Sequence, residues 1–212
     1  MDRDIVLAAA LPAAFESACL IRCAGVRPAS NTPAGRRRPE WEAAPTIEFD
    51  ETDAANRLST LLLGLGCGAT REVRTGGGRW RYDVQRVQVA ETQRPAVTRM
   101  MAAAWRQGRT ALLGTEPLGA SSRRAAQRVS LAHAAWRAAL LAGGRRRRGD
   151  LLWVRLGDQE LATVLVRAAR LLGVPTEVSR RPGCYTVAVP AGFGAETVAG
   201  LTVSSPEAAP SS

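Results

Sequence analysis

The sequence predicts an α+β protein built from two pseudo-symmetric repeats, and three observations lead there. The first is a repeated order of strand, capped helix, glycine stop and strand. It runs from Phe49 to Arg74 and again from Val154 to Ser179, with Glu72-Val73 in one copy and Glu177-Val178 in the other. The second is a helix ending in Ala-Gly upstream of each copy, at Ala24-Gly25 and Ala142-Gly143. Small residues there allow two helices to pack closely or a left-handed cap to form. The third is a pair of glycine-bearing turns, Gly76-Gly77-Gly78 and Arg181-Pro182-Gly183, each joining two strand candidates. Each repeat is then a helix, antiparallel strands and covering helices, with a helix pair at the junction.

Taken in order, a first helical piece spans Asp4 to Leu11 and breaks at Pro12, which lacks an amide donor. A second, Ala13 to Gly25, sets Phe15, Cys19, Leu20 and Cys23 near one face. Val26 to Pro45, with several prolines and Arg36-Arg37-Arg38, reads as a short strand and then a long basic loop. Thr46 to Asp50 alternates as a strand. Thr52 or Asp53 caps a helix carrying Ala55, Leu58, Leu61, Leu62 and Leu65 inside, which ends at Gly66 to Gly68. Strands follow at Ala69 to Arg74 and Arg79 to Val87. On the latter, Trp80, Tyr82 and Val84 form an apolar face against Arg79, Arg81, Asp83 and Gln85. A helix from Ala96 to Arg106 closes the first repeat, residues 1–106, and 107–120 reads as a linker.

The second repeat, residues 121–203, opens with a helix from Ser121 or Ser122 to Gly144, followed by the basic turn Arg145-Arg146-Arg147-Arg148. Leu151 to Leu156 is a strand. Asp158 caps a helix with Leu161, Val164, Leu165, Ala168, Leu171 and Leu172 inside, and Gly173 stops it. Thr176 to Arg180 and Cys184 to Val189 pair as a hairpin, a short helix starts near Gly194, and 204–212 is expected to be a disordered tail.

Composition narrows the functional classes. With 212 residues and 46% hydrophobic content the chain can bury a core. Its formal net charge is +10, carried wholly by arginine because no lysine occurs. Such a surface suits nucleic acid ahead of an anionic membrane. Cys19, Cys23, Cys67 and Cys184 are scattered, and His133 is the single histidine, so no zinc pattern forms. Free thiols in a reducing cytoplasm are the expectation. Ile5 to Ala14 lacks a positively charged flank and is interrupted by Pro12, which argues against a signal peptide. No stretch is apolar enough to span a bilayer.

The order of motifs resembles the LAGLIDADG homing-endonuclease fold, in which two helices ending in small residues pack at a pseudo-dyad and two sheets form a saddle over DNA. Leu141-Ala142-Gly143 matches the first three letters of that motif. More narrowly, the runs Glu16 to Gly25, Ala134 to Ala142 and Ala168 to Gly173 resemble the WhiA family of sporulation and cell-division regulators, whose amino-terminal part is a degenerate version of this fold. Two such LAGLIDADG-like repeats are therefore expected. The resemblance implies a non-enzymatic DNA-binding regulator acting through sequence-weak phosphate contacts, with a second transcription regulator as partner. It also implies a carboxy-terminal helix-turn-helix domain, and these 212 residues include none.

Active homing nucleases carry a metal-binding acid at the eighth motif position. Counted from Leu141, that position is Arg148, and no carboxylate lies between Gly25 and Pro39. An arginine repels a divalent cation, so neither metal nor cofactor is expected. The candidate DNA-binding residues are Arg145, Arg146, Arg147 and Arg148, then Arg79 and Arg81, then Arg36, Arg37 and Arg38; the candidate helix-pair junction is Ala24, Gly25, Ala142 and Gly143. Trp80, Trp136 and Trp153 are expected in the core, and Glu72 and Glu177 as exposed strand charges. Asp150 is the only acid near the central turn. A second reading is a protein-interaction scaffold with an incidental basic face, and a third is a residual metal-dependent nuclease.

Overall fold

A computed structural model of the chain describes residues 6–24, 46–76, 82–114, 122–143, 146–148, 151–190 and 193–201. Six α-helices and seven strands appear among them: α1 (Leu11–Ala24), β1 (Thr46–Phe49), α2 (Thr52–Gly64), β2 (Ala69–Gly76), β3 (Tyr82–Val89), α3 (Arg94–Leu113), α4 (Ser122–Ala142), β4 (Arg146–Arg148), β5 (Leu151–Leu156), α5 (Gln159–Leu171), β6 (Glu177–Arg181), β7 (Cys184–Pro190) and α6 (Phe193–Gly200). The strands form two antiparallel sheets, ordered β1-β3-β2 and β4-β5-β7-β6. The orders β1-β3-β2 and β5-β7-β6 are the same, so the two-repeat reading holds at the level of topology.

The correspondence between repeats is two positions further along than the sequence pattern suggests. Phe49 ends β1 as Leu156 ends β5, and both are buried. Glu51 and Asp158 are the N-cap residues of two 13-residue helices. Gly66 and Gly173 follow those helices with φ of 76° and 71°. At each, the next amide reaches back to a carbonyl of the last turn, Cys67 N–H to Leu62 O at 2.8 Å and Val174 N–H to Ala169 O at 2.9 Å. This six-to-one closure needs a left-handed residue, which glycine adopts without a Cβ penalty. Phe49 therefore pairs with Leu156 and not Val154, and the apparent match of Glu72 with Glu177 dissolves.

Other expectations shift for local reasons. Pro12 does not break a helix; it sits in the first turn of α1, where its missing N–H has no intrahelical partner to lose. Residues 8–10 form a turn instead of the first helical piece. Neither Thr52 nor Asp53 caps α2: the N-cap is Glu51, with no side-chain cap bond. Asp158 does cap α5, accepting from the Glu160 and Leu161 amides. Helix α3 continues to Leu113, so 107–113 is helix and not linker.

The core lies between the helices and the two sheets. Helix α1 is buried almost all round, from Ala14 to Ile21, as a central helix must be, and its broadest helix contact is with α4. On α4, Ala132, Ala135, Trp136, Ala138 and Ala139 are fully buried or nearly so. Helix α2 covers the first sheet and α5 the second, while α3 packs across α1 and reaches α5. Phe15 of α1 stacks on Trp105 of α3, centroids 5.8 Å apart. The close approach depends on Gly108, where an added Cβ would lie 2.2 Å from the Phe15 ring. Gly108→Ala gains about 1 kcal/mol of helix propensity, but the overpacking outweighs it. We expect a net loss of about 1–3 kcal/mol, read as a lower urea midpoint at unchanged m-value.

Cys19 and Cys23 are free and buried one turn apart on α1. Burial pushes both thiols up, Cys23 well beyond the ordinary range, with nearby negative charge adding to the effect. Groups whose folded pKa is raised stabilise fully below the unfolded pKa of about 8.5, and that contribution is lost as pH rises further. With no lysine in the chain, few other groups titrate there. The urea midpoint should fall between about pH 8.5 and 10, and the Cys19→Ala, Cys23→Ala double variant, weaker at neutral pH, should lose most of that slope.

Candidate nucleic-acid interface and the helix junction

The junction is the packed pair α1 and α4. Ala24 and Ala142 are the last residues of the two helices, and both are half-buried. Gly143 is required by what crosses it. A Cβ there would meet the Ala139 carbonyl at 2.7 Å and the Arg155 carbonyl at 3.0 Å. The Arg155 amide donates to Gly143 O at 3.3 Å. The close approach is thus made by the backbone of β5, and Gly143 does not adopt a left-handed cap, since its φ is not positive. Gly25 lies outside the described residues.

The same geometry corrects the motif register. Counted from Leu141, the eight-letter match would run off the end of α4 into β4. The helix that packs at the junction is instead the whole of Ser122–Ala142, and its end is Ala142, as Ala24 is the end of α1. A methyl group occupies each helix end, at Ala24 and Ala142, and Arg148 lies beyond α4, in β4. Among the described residues no group of three His, Cys, Asp or Glu side chains could hold a metal ion.

Beyond α4 the chain forms a strand in place of the expected basic turn. Residues 146–148 pair antiparallel with β5, Arg146 opposite Trp153, Arg147 opposite Leu152 and Arg148 opposite Leu151. In β5 the core-facing positions are Leu152, Val154 and Leu156, and Leu151, Trp153 and Arg155 share the other face. Positions 146 and 148 stand in the register of that outward face. Trp153 is therefore half-buried on the sheet surface and not in the core, unlike Trp136, which is fully buried. Arg155 is exposed and makes no ion pair among the described residues. Arg36, Arg37, Arg38, Arg79, Arg81, Arg145, Trp80 and Asp150 lie outside the described residues.

The first sheet presents a different surface. Its helix-facing positions on β3 are Gln85, Val87 and Val89, all buried, with Gln85 opposite Phe49 and Val87 opposite Ile47. The expected apolar face containing Val84 is thus the outward one, the reverse of the reading from alternation. That outward face also carries Arg86, Gln88, Glu48, Glu72 and Arg74 by register. Arg86 Nε donates to Glu48 at 2.7 Å, Arg74 Nε to Glu72 at 3.3 Å, and Gln88 to the other Glu72 oxygen at 3.4 Å. Glu72 is exposed, as expected, but it neutralises a neighbour. The first sheet face is charge-balanced among the described residues, whereas on the second Arg155 makes no ion pair among them and Glu177 is the carboxylate in the register of that face.

Two arginine networks tie the repeats together, and neither was evident from sequence. Glu16 of α1, its side chain 3% exposed, accepts from Arg57 Nε at 2.7 Å and Nη2 at 3.0 Å, and Arg137 Nε of α4 lies 3.2 Å away. This ion triad links α1, α2 and α4, and the bond to Glu16 raises the Arg57 pKa. At the end of α1, Arg22 pairs with Asp158 and, at 3.6 Å, Glu160, with its guanidinium 3.9 Å from the Trp105 ring centre. Arg109 of α3 reaches Glu160 at 3.1 Å. The only sequence signal for the first network was a carboxylate inside an otherwise small and apolar helix.

These features define the class of fold, a LAGLIDADG homing-endonuclease-like α+β chain. Within it, the chain is similar to full-length DUF199/WhiA from Thermatoga maritima, with 12% identity, a TM-score of 0.57, and 97% of this chain covering 60% of that one. It is also similar to the N-terminal LAGLIDADG domain of DUF199/WhiA, with 12% identity, a TM-score of 0.54, and coverage of 93% and 86%. I-DmoI, solved in complex with DNA and manganese, aligns at 12% identity and a TM-score of 0.54 over 92% of this chain and 99% of its own. At this identity the likeness carries the fold. The chain spans about 60% of the length of full-length WhiA. No protein-family model and no curated protein sequence matches it. Among the described residues no helix is long and apolar enough to cross a membrane.

Proposed function

We propose that this chain is a non-enzymatic, WhiA-like DNA-binding regulatory protein, acting in the cytoplasm on transcription, sporulation or cell division. The observation that carries the reading is the junction itself. Two LAGLIDADG-type helices end in Ala24 and Ala142, and the second leads directly into a strand of three arginines. Neither helix ends in a carboxylate, and among the described residues no group of three His, Cys, Asp or Glu side chains could hold the cation that activates water. Phosphate contact needs only positive charge and donors, which arginine supplies as a fork. Contact is concentrated on the outward face of the second sheet, at Arg155 and the β4 positions, because the first sheet's arginines are already paired with Glu48 and Glu72. Both sheets together would form the saddle, Arg79 and Arg81 adding to it from the first, and a second transcription regulator would supply sequence selection.

Incubation of supercoiled plasmid with the protein and magnesium or manganese, followed by a gel, tests the reading. The plasmid should be retarded at low salt and remain supercoiled. Nicked or linear product would overturn the non-enzymatic reading and favour a residual nuclease.

A further inference from the structure

We propose that the free edge of the second sheet, with the groove beside it, is a docking site for an extended acidic segment of a partner protein, which adds to β6 as a further strand. Among the described residues the sheet order β4-β5-β7-β6 leaves β6 at the edge, paired on one side only. All five of its residues are exposed, Val178 by 49%. Half of its backbone N–H and C=O groups therefore point away from the sheet, where an added strand would engage them.

Between this edge and α5 lies a groove of about 520 Å³, at the end of α3. Leu113, Val166 and Val178 supply its apolar surface, and Arg167, Arg170 and Tyr185 its polar groups. None of the described residues lining it is a carboxylate. Arg167 Nε is shielded from solvent and has no acceptor among the described residues. Arg170 is exposed, and neither arginine forms an ion pair there. A donor buried without an acceptor is unfavourable, and an incoming carboxylate would satisfy it.

Register connects edge and groove. Val178 pairs with Val187 on the helix-facing side of the sheet, so the residue of an added strand opposite Val178 would share that side, next to α5. Alternate apolar residues of the partner would enter the groove, and acidic ones would meet Arg167 and Arg170. Glu177, the only carboxylate on β6, pairs with Ala188 in the register of the other face. A second copy of this chain is a poor occupant. Arg180 and Arg181 on the same edge and a net charge of +10 set like charges against one another. A small anion would use the arginines but leave the edge and Val178 unused. The site lies on the helix side of the sheet, away from the DNA-contacting face, so both partners can bind at once.

The test uses a fluorescently labelled octapeptide of alternating glutamate and valine, with the lysine–valine octapeptide as control, and follows anisotropy and amide exchange. The acidic peptide should bind and slow exchange of β6 amides. Arg167→Ala with Arg170→Ala should weaken it about tenfold or more, a change of about 1.4 kcal/mol, while duplex DNA affinity is unchanged. Thr163→Trp, at an exposed position lining the groove, should weaken it too; circular dichroism verifies that each variant is folded. Equal binding of the lysine peptide, no binding of the acidic one, or arginine-dependent binding without protection of β6 would each overturn the proposal.

Discussion

Replacing Glu16 with alanine is expected to destabilise the protein by about 3 kcal/mol, toward the lower end of the range for breaking a buried ion pair. Glu16 is the single carboxylate facing two arginines, and its side chain is 3% exposed against 22% for Arg57 and 20% for Arg137. Removing it takes the shared carboxylate from two guanidinium groups at the meeting of α1, α2 and α4. Their partial exposure gives them some access to water, which moderates the loss. Glu16→Gln keeps the volume and one acceptor, so it should fall between the wild type and alanine. Replacing Glu16, Arg57 and Arg137 together with Leu, Met and Leu should recover much of the stability, because an apolar packing of similar volume needs no desolvation of charge. Urea unfolding of the set measures this. A Glu16→Ala variant within about 0.5 kcal/mol of wild type would show that the triad contributes no net stability.

The second large effect concerns DNA. Replacing Arg146, Arg148 and Arg155 with alanine should weaken duplex binding and flatten its salt dependence. Each lost phosphate contact reduces the log–log slope by about 0.9, so three contacts account for about 2.7. The loss should be similar on unrelated sequences, because phosphate contacts position a protein without reading bases. Arg74→Ala with Arg86→Ala, on the charge-balanced first sheet, should change the slope by less than about 1. A pattern with these two sets interchanged would move the interface to the other repeat.

Much of the architecture was legible because punctuation is local. Gly66, Gly173 and Gly183 each take positive φ where a helix or hairpin turns, and Asp158 caps as its position suggests. Gly143, after the small end of α4, does sit at a crowded point. The chain that approaches Gly143, however, is the β5 backbone, which no local pattern announces. The facing of β3 was misread for a similar reason. Its apolar residues change parity between Val84 and Val87, and pairing with Phe49 and Ile47 of a distant strand decides which side is buried. Trp153 carried the same ambiguity, and its facing follows from β5 pairing with β7. The Glu16 triad joins residues on three helices far apart in sequence, so only the fold brings it together.

The arginine-bearing face of the second sheet, beside the helix junction, is proposed as the DNA-contacting surface. Its most direct test is the affinity of the wild-type chain for a short duplex of arbitrary sequence, measured by anisotropy from low to physiological salt. Measurable binding at low salt is predicted, with a linear fall of log affinity with log salt that is similar for unrelated duplexes. No detectable duplex binding at low salt would contradict it.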